Sequence, residues 1–203
     1  CGKCYKTCQN NSKIELCRPI EWLQGWTKDE KIRERAASGG VATAVISAFI
    51  KQDGFVCSCV FEEGKFVYKL VNNGNDIEKF AGSKYVKSNP YGVYKQIREK
   101  LANGKKVLFV GLPCHVAAIK KYVESDLQDD LYTIDLICHG TPSPEFLRIF
   151  LKENGYNLNE IDEIKFRKKM AFKLFDKDYT PIITSGMPDR YLFSFLKGLN
   201  YTE

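Results

Sequence analysis

"KKVLFVGLPCHVAAIKKYVES" (residues 105–125) is the stretch that decides the fold. Its opening "KKVLFVG" is a continuous apolar run of the kind found in strands buried on both faces of a sheet. A turn containing Pro113 closes the run, and "HVAAIKKYVES" reads as a helix. The pattern then repeats: "LYTIDLI" (131–137) predicts a second buried strand, and a further helix follows "TPSPE" (141–145). This strand–helix–strand–helix order predicts an α/β chain built on a parallel or mixed sheet. Each of the two strands ends in a cysteine-bearing loop, "GLPCH" and "CHGTPS". Ligands of open α/β sheets sit outside the carboxyl ends of the strands, so Cys114 and Cys138 are expected to face one crevice.

Upstream, "TKDEKIRERAASGGVATAVISAFIKQDG" (27–54) reads as an exposed charged turn, a Ser-Gly-Gly break, and a buried helix from about Val41 to Gly54. "FVCSCVFEEGKFVYKLV" (55–71) predicts two strands joined by a Gly-containing turn. Cys57 and Cys59, two apart on the first strand, share a face and read as small buried core residues. "DIEKFAGSKYVKS" (76–88) predicts a short helix and a polar loop, and "YGVYKQIREKLANG" (91–104) places Val93, Ile97 and Leu101 on one helical face. The last fifty residues hold two more strands, "IDEIKFRK" (161–168) and "AFKLFDK" (171–177), and a closing amphipathic helix, "DRYLFSFLKGL" (189–199).

At 203 residues, 44% hydrophobic and 28% charged, the chain has the composition of an ordered globular protein. No apolar run approaches the roughly 20 residues that span a bilayer, so no membrane span is expected. The formal net charge of +6 is spread along the chain at residues such as Lys51, Lys65, Lys79, Lys100 and Lys120. With no basic stripe, nucleic acid is not expected as a partner, while a face for anionic cofactors or an acidic electron carrier stays open. Eight cysteines without a secretion signal read as thiols kept reduced in the cytoplasm for metal or redox chemistry.

Three of those cysteines, Cys1, Cys4 and Cys8, stand in "CGKCYKTC". The spacing matches the last three cysteines of the C-x2-C-x2-C-x3-C-P run that ligates iron–sulfur clusters, with Gln9 in place of the proline. Zinc would need a second ligand pair, and only Cys17 is near; a disulfide conflicts with a reducing compartment. Cys114 beside His115, and Cys138 beside His139, suit shared metal ligation, a Cys–His nucleophile, or no chemistry at all. "ASGGVAT" opens a helix whose free amides could receive an anion, and reads equally as a flexible helix start. "GSKYVKS" suits a phosphate or an isoalloxazine ring and would also pass as an exposed turn.

Taken together, "SGGVATA", "GSKYVKS", "GKKVLFVGLPCHVAAIKKY" and "LYTIDLICHGTPSPEF" resemble the coenzyme F-420 hydrogenase/dehydrogenase beta-subunit family in order and spacing, over about residues 28 to 167. The resemblance implies a mixed, largely parallel α/β sheet flanked by helices, with an N-terminal ferredoxin-like segment. Residues 1–20 would be part of a 4Fe-4S module and residues 28–203 the flavin and iron–sulfur domain. It implies FAD exchanging electrons with 4Fe-4S clusters, and ferredoxin or a redox partner subunit at the other end, in some relatives beside polysaccharide synthesis. Coenzyme F-420 itself is a doubtful substrate, because the family is wider than the organisms that make it. Flavin contacts carry over to Ser38, Gly39, Gly40, Thr43, Lys84, Tyr85, Ser88, His139 and Gly140. Cluster ligands carry over to Cys1, Cys4 and Cys8, and to Cys114 and Cys138. A leading cysteine and a later C-x2-C pair of the family pattern are not in the sequence, so the chain is expected to be a piece lacking both ends. His115 departs from the family's usual glutamine. Two other classes stay open: a zinc-stabilised scaffold of the same fold, and a transferase using Cys114 as its nucleophile.

Overall fold

The structure is a computed structural model that describes residues 2–8, 11, 18–168, 171–185 and 191. Its elements run α1 (Lys3–Thr7), α2 (Glu30–Arg35), α3 (Val41–Ile50), β1 (Phe55–Glu62), β2 (Lys65–Val71), α4 (Ile77–Phe80), α5 (Val93–Ala102), β3 (Val107–Gly111), α6 (Pro113–Tyr122), β4 (Leu131–Asp135), α7 (Pro144–Glu153), β5 (Glu163–Lys168), β6 (Ala171–Phe175) and β7 (Pro181–Ser185). Short 3-10 turns at 74–76, 125–130 and 158–160 join some of them.

The first sheet has the order β2-β1-β3-β4. β1 and β2 form the expected antiparallel hairpin, turned by Glu63 and Gly64 at φ 51° and 70°, the left-handed pair that a two-residue hairpin turn needs. β1 pairs with β3 in parallel, and β3 with β4 likewise. All five residues of β3 are buried. Leu108 and Val110 turn to one face with Ile46 and Ile50 of α3. Val107 and Phe109 turn to the other, with Ile97 and Leu101 of α5 and Val116 and Ile119 of α6. Helices on both faces of a central strand explain why its sequence is apolar without alternation.

The second strand of the sequence reading is not buried. β4 is the edge of the sheet among the described residues: Tyr132 is 43% exposed and, just past the strand, Ile137 is fully exposed. It is also two residues shorter than expected, ending at Asp135. The charged turn near residue 30 is instead the helix α2. Asp29 caps it, its Oδ1 accepting from the amides of Lys31 and Ile32 at 2.9 and 3.2 Å, which satisfies two of the amides a helix start leaves open. A second, antiparallel sheet, β5-β6-β7, follows. Its β7 has no counterpart in the sequence reading. Phe166, Phe172 and Leu174 of this sheet share a core with Leu147 and Leu151 of α7, with Phe66 and Val86, and with Tyr191. Apart from Tyr191, the expected closing helix lies outside the described residues, as do Cys1, Cys17 and the side chain of Cys4. Among the described residues no helix is long and apolar enough to cross a membrane.

Ile97 is fully buried between α5 and β3, whereas Tyr91, one loop away, is 91% exposed. Ile97→Ala is expected to lower the unfolding free energy by about 2–5 kcal/mol, and Tyr91→Ala by less than about 0.5 kcal/mol. Urea titration of the two variants beside the parent chain measures both.

Candidate functional site

β1 and β3 are paired only from Phe55↔Val107 to Cys57↔Phe109. Beyond that point β1 continues with β2 alone, and a cavity opens between the diverging β1 and the carboxyl ends of β3 and β4. It measures about 560 Å³, within the range of sites that bury small ligands. Ser58 and Cys59 line it from β1, Val110 and Leu112 from the end of β3, and residues 136–141 from the loop after β4. The loop after α4 and the start of α3 complete the wall.

All nine residues expected to hold a flavin line this one cavity: Ser38, Gly39, Gly40, Thr43, Lys84, Tyr85, Ser88, His139 and Gly140. They come from three separate segments, brought together by the position of α3 over the end of the sheet. α3 begins at Gly40, in the left-handed conformation at φ 75°, with no side chain capping its first amides. Those amides are therefore available at the positive end of the helix dipole, a setting that favours an anion. The two glycines also serve packing. Thr27 N donates to Gly39 O at 2.8 Å, holding a strap of residues 25–27 against the turn. A Cβ on Gly39 would come within 3.0 Å of Gly25 O, and one on Gly40 within 2.8 Å of Thr27 Cγ2.

Lys84 enters the wall from the loop after α4. Its Nζ donates to Lys79 O at 2.8 Å, Ala81 O at 3.0 Å and Gly82 O at 3.4 Å. Burial pulls its ammonium down to about 8. Nearby, burial pushes the Cys59 thiol up, against the opposing pull of Lys84 and a hydrogen bond with Ser88. Cys59 is thus a neutral thiol on the cavity wall, whereas Cys57 alone is the core residue that the sequence suggests. Lys84 is the one formally charged side chain among the described residues lining the cavity, and no carboxylate lines it.

Tyr68 on β2, like Cys59, lines the cavity without having been anticipated from the sequence. Its ring stacks on Phe109 at 5.2 Å and 14°, and its Oη lies 2.8 Å from His115 Nδ1. Gly111 makes this possible, because a Cβ there would approach Tyr68 Oη to 2.8 Å. Tyr94 Oη donates to His115 O at 3.2 Å. Burial, reinforced by Lys87, holds the His115 imidazole below its ordinary value, and burial raises the Tyr68 phenol far above its own. The only sequence signal for this arrangement was the unusual histidine at 115.

The cysteines divide. Cys138 is exposed, lines the cavity, and accepts a hydrogen bond from Gly140 N at 3.3 Å. Cys114 is the second residue of α6, two positions on from Leu112 of the wall, and does not itself line the cavity. At the far end of α6, Lys3 of α1 reaches Glu124 at 3.4 Å and sits 4.9 Å over the Tyr122 ring. Arg98 donates to both Glu124 oxygens at 2.8–2.9 Å. That pairing, chiefly with Arg98, holds the carboxyl down at about 2. The segment carrying Cys4 and half-buried Cys8 is thereby seated on the same helix that carries Cys114. Among the described residues, no three His, Cys, Asp or Glu side chains gather as a ready metal site.

Two family models match the chain, both of the coenzyme F420 hydrogenase/dehydrogenase beta subunit: its N-terminal part over residues 22–93, and its C-terminal part over residues 104–190. Among curated proteins, an uncharacterized protein of Methanocaldococcus jannaschii is 27% identical over 137 residues, covering 62% of this chain and 37% of that protein. Among solved structures, a chain of the F420-reducing [NiFe] hydrogenase complex from Methanosarcina barkeri superposes with a TM-score of 0.57 at 20% identity. That match covers 77% of this chain and 57% of the hydrogenase chain, and it shows a shared fold. The chain thus spans little more than a third of its curated relative.

Gly40→Ala would place a side chain at φ 75° and against Thr27. It is expected to destabilise the strap and the start of α3 by about 1–2 kcal/mol. Hydrogen exchange at the Thr27 amide, which loses protection if the strap loosens, reports the effect directly.

Proposed function

This chain belongs to the coenzyme F420 hydrogenase/dehydrogenase beta-subunit family, and on that premise we propose that it is an oxidoreductase domain holding FAD in the cavity at the end of β3. The observation that carries this reading is the composition of the wall. A helix amino terminus and a single ammonium, with no opposing carboxylate, face an otherwise largely apolar space of about 560 Å³. That combination suits a flat ring with a phosphate-bearing tail. The residues present fit such a group. Gly39, Gly40 and the first amides of α3 would receive phosphate oxygens, and Lys84 would set a positive charge beside the ring. Ile46, Phe80, Val110 and Leu112 would exclude water from the ring. When bound, the flavin supplies the hydride and single-electron chemistry, and the protein sets its position and potential.

Iron–sulfur centres would complete the electron path, with Cys138 and Cys114 near the flavin and Cys1, Cys4 and Cys8 at the outer end. The described residues do not close a ligand set. Two features support the placement. The Gly140 N–H···S contact on Cys138 is of the kind that tunes cluster sulfurs. α6 also separates Cys114 from the seat of α1 at Tyr122 by eight residues, about 12 Å of helix rise. Ferredoxin or a partner subunit would be the electron partner, in the cytoplasm. A role beside polysaccharide synthesis and the identity of the reduced substrate belong to the same proposal. The nucleophile alternative has less support, because His115 directs its Nδ1 to Tyr68.

Protein purified without oxygen is expected to release FAD on denaturation and to contain iron and acid-labile sulfide. Zinc alone, with no flavin, would instead establish the scaffold reading. Thiol alkylation separates the third class: a Cys114 that outreacts the other cysteines in the metal-free and metal-loaded states alike marks a nucleophile.

A further inference from the structure

Three groups face the Lys84 ammonium. The backbone carbonyls of Lys79, Ala81 and Gly82 take up its three donors. The Cys59 thiol faces it from β1, and the Glu163 carboxylate from β5. The carbonyls fix Nζ in place and leave it acting through space as a point charge. Cys59 stays protonated, because burial raises its thiol. Glu163 is already engaged by Lys165 at 3.2 Å. Glu163 therefore offsets the positive charge only in part, and the cavity beside it contains no other formal charge among the described residues.

We propose that Lys84 sets the redox preference of this cavity, its fixed ammonium stabilising the negative charge that a bound ring system acquires on reduction. The proposal rests on the flavin reading above. A neutral ring that takes up two electrons and one proton gains one unit of negative charge. The electrons and proton come from a hydride donor, or from dithionite and water in a titration. In a wall of low polarity, one positive charge at a fixed point favours that product over the oxidised ring. Lys84 acts here as an electrostatic positioning residue, without itself exchanging a proton with the ring.

The stabilisation exists only while the ammonium is protonated. Burial draws Lys84 down to about 8 with the cavity empty, and a negative ring raises it again. Below about 8 the charge is present before and after reduction. Just above that value the oxidised state has lost the proton and the reduced state retains it, so each reduction takes up one extra proton. The ratio of affinities for reduced and oxidised ligand then falls an additional tenfold per pH unit, or about 30 mV for a two-electron couple.

The test is the midpoint potential of FAD bound to the whole chain between pH 6.5 and pH 9.5, for the parent, Lys84→Gln and Lys84→Arg. Gln retains N–H donors for the loop carbonyls and removes the charge; Arg retains the charge. The parent is expected to show the extra slope above about pH 8, and Lys84→Arg to have a potential close to that of the parent at neutral pH. Lys84→Gln is expected to lose the extra slope and to favour reduced FAD about tenfold less at pH 7, a potential lower by about 30 mV. An unchanged potential and slope in Lys84→Gln that still binds FAD would overturn this inference and leave the flavin reading standing. Should Lys84→Gln fail to fold, a parent potential without the extra slope overturns it equally. A parent chain that binds no FAD removes the flavin reading and this one together.

Discussion

The parting of β1 from β3 after Cys57↔Phe109 is the constraint on which the site depends. Up to that pair, the two strands exchange backbone hydrogen bonds and bury Val56, Leu108 and Phe109 completely or nearly so. Beyond it, β1 keeps its hydrogen bonds by continuing with β2, through Glu62↔Lys65. β3 ends two residues later, at Gly111, and its chain turns into α6. The hairpin is thus what makes an opening affordable at this point. Without β2 beside it, β1 would have no strand partner on either edge past Cys57.

Around that opening, small residues decide what can approach. Gly111 clears space for the Tyr68 hydroxyl, while Gly39 and Gly40 let the 25–27 strap lie against the start of α3. Gly39 and Gly40 were readable in "SGGVATA" as a helix start open to an anion. Their nearest neighbour proves to be the protein's own chain. The strap itself left little trace in the sequence. Trp22, Leu23 and Trp26 are largely exposed and follow no period, and its attachment is one backbone hydrogen bond that no side-chain pattern reports.

What was legible follows the same division. β3, α3, α5 and the β1–β2 hairpin announce themselves because each buries a face, and burial writes periodicity into sequence. Val93, Ile97 and Leu101 are buried on the single helical face that their spacing predicts. The nine cavity residues were legible through resemblance, as three short segments whose convergence only the fold supplies. β4 was overread, since an edge strand and a central strand can share the composition "LYTIDLI" while only the central one is covered on both faces. α2 was underread, because a helix with no buried residue is held by its Asp29 cap and offers no apolar period. Tyr68 and Cys59 were missed as cavity residues for another reason. Strand parity assigns each a face of the sheet, but where neighbouring strands separate is a tertiary property.

α6 ties the two cysteine regions together in a way that composition could not show. Pro113 at its first position and Cys114 at its second put the sulfur where the helix dipole is positive, a setting that favours a negatively charged centre bound there. The opposite end carries Tyr122 and leads to Glu124, where Lys3 docks α1. That contact is exposed and modest in strength, yet it is reinforced by the two-oxygen grip of Arg98, anchored on α5, upon the same Glu124. The helix therefore works as a rigid spacer between the Cys114 turn and the segment that carries Cys4 and Cys8. If both hold redox centres, their separation is fixed by helix geometry and does not depend on the order of any loop. A relay that passes single electrons benefits from that rigidity, because transfer rates fall steeply with distance. The same rigidity holds Leu112 on the cavity wall, so the seat of α1, the Cys114 turn and the cavity belong to one mechanical unit.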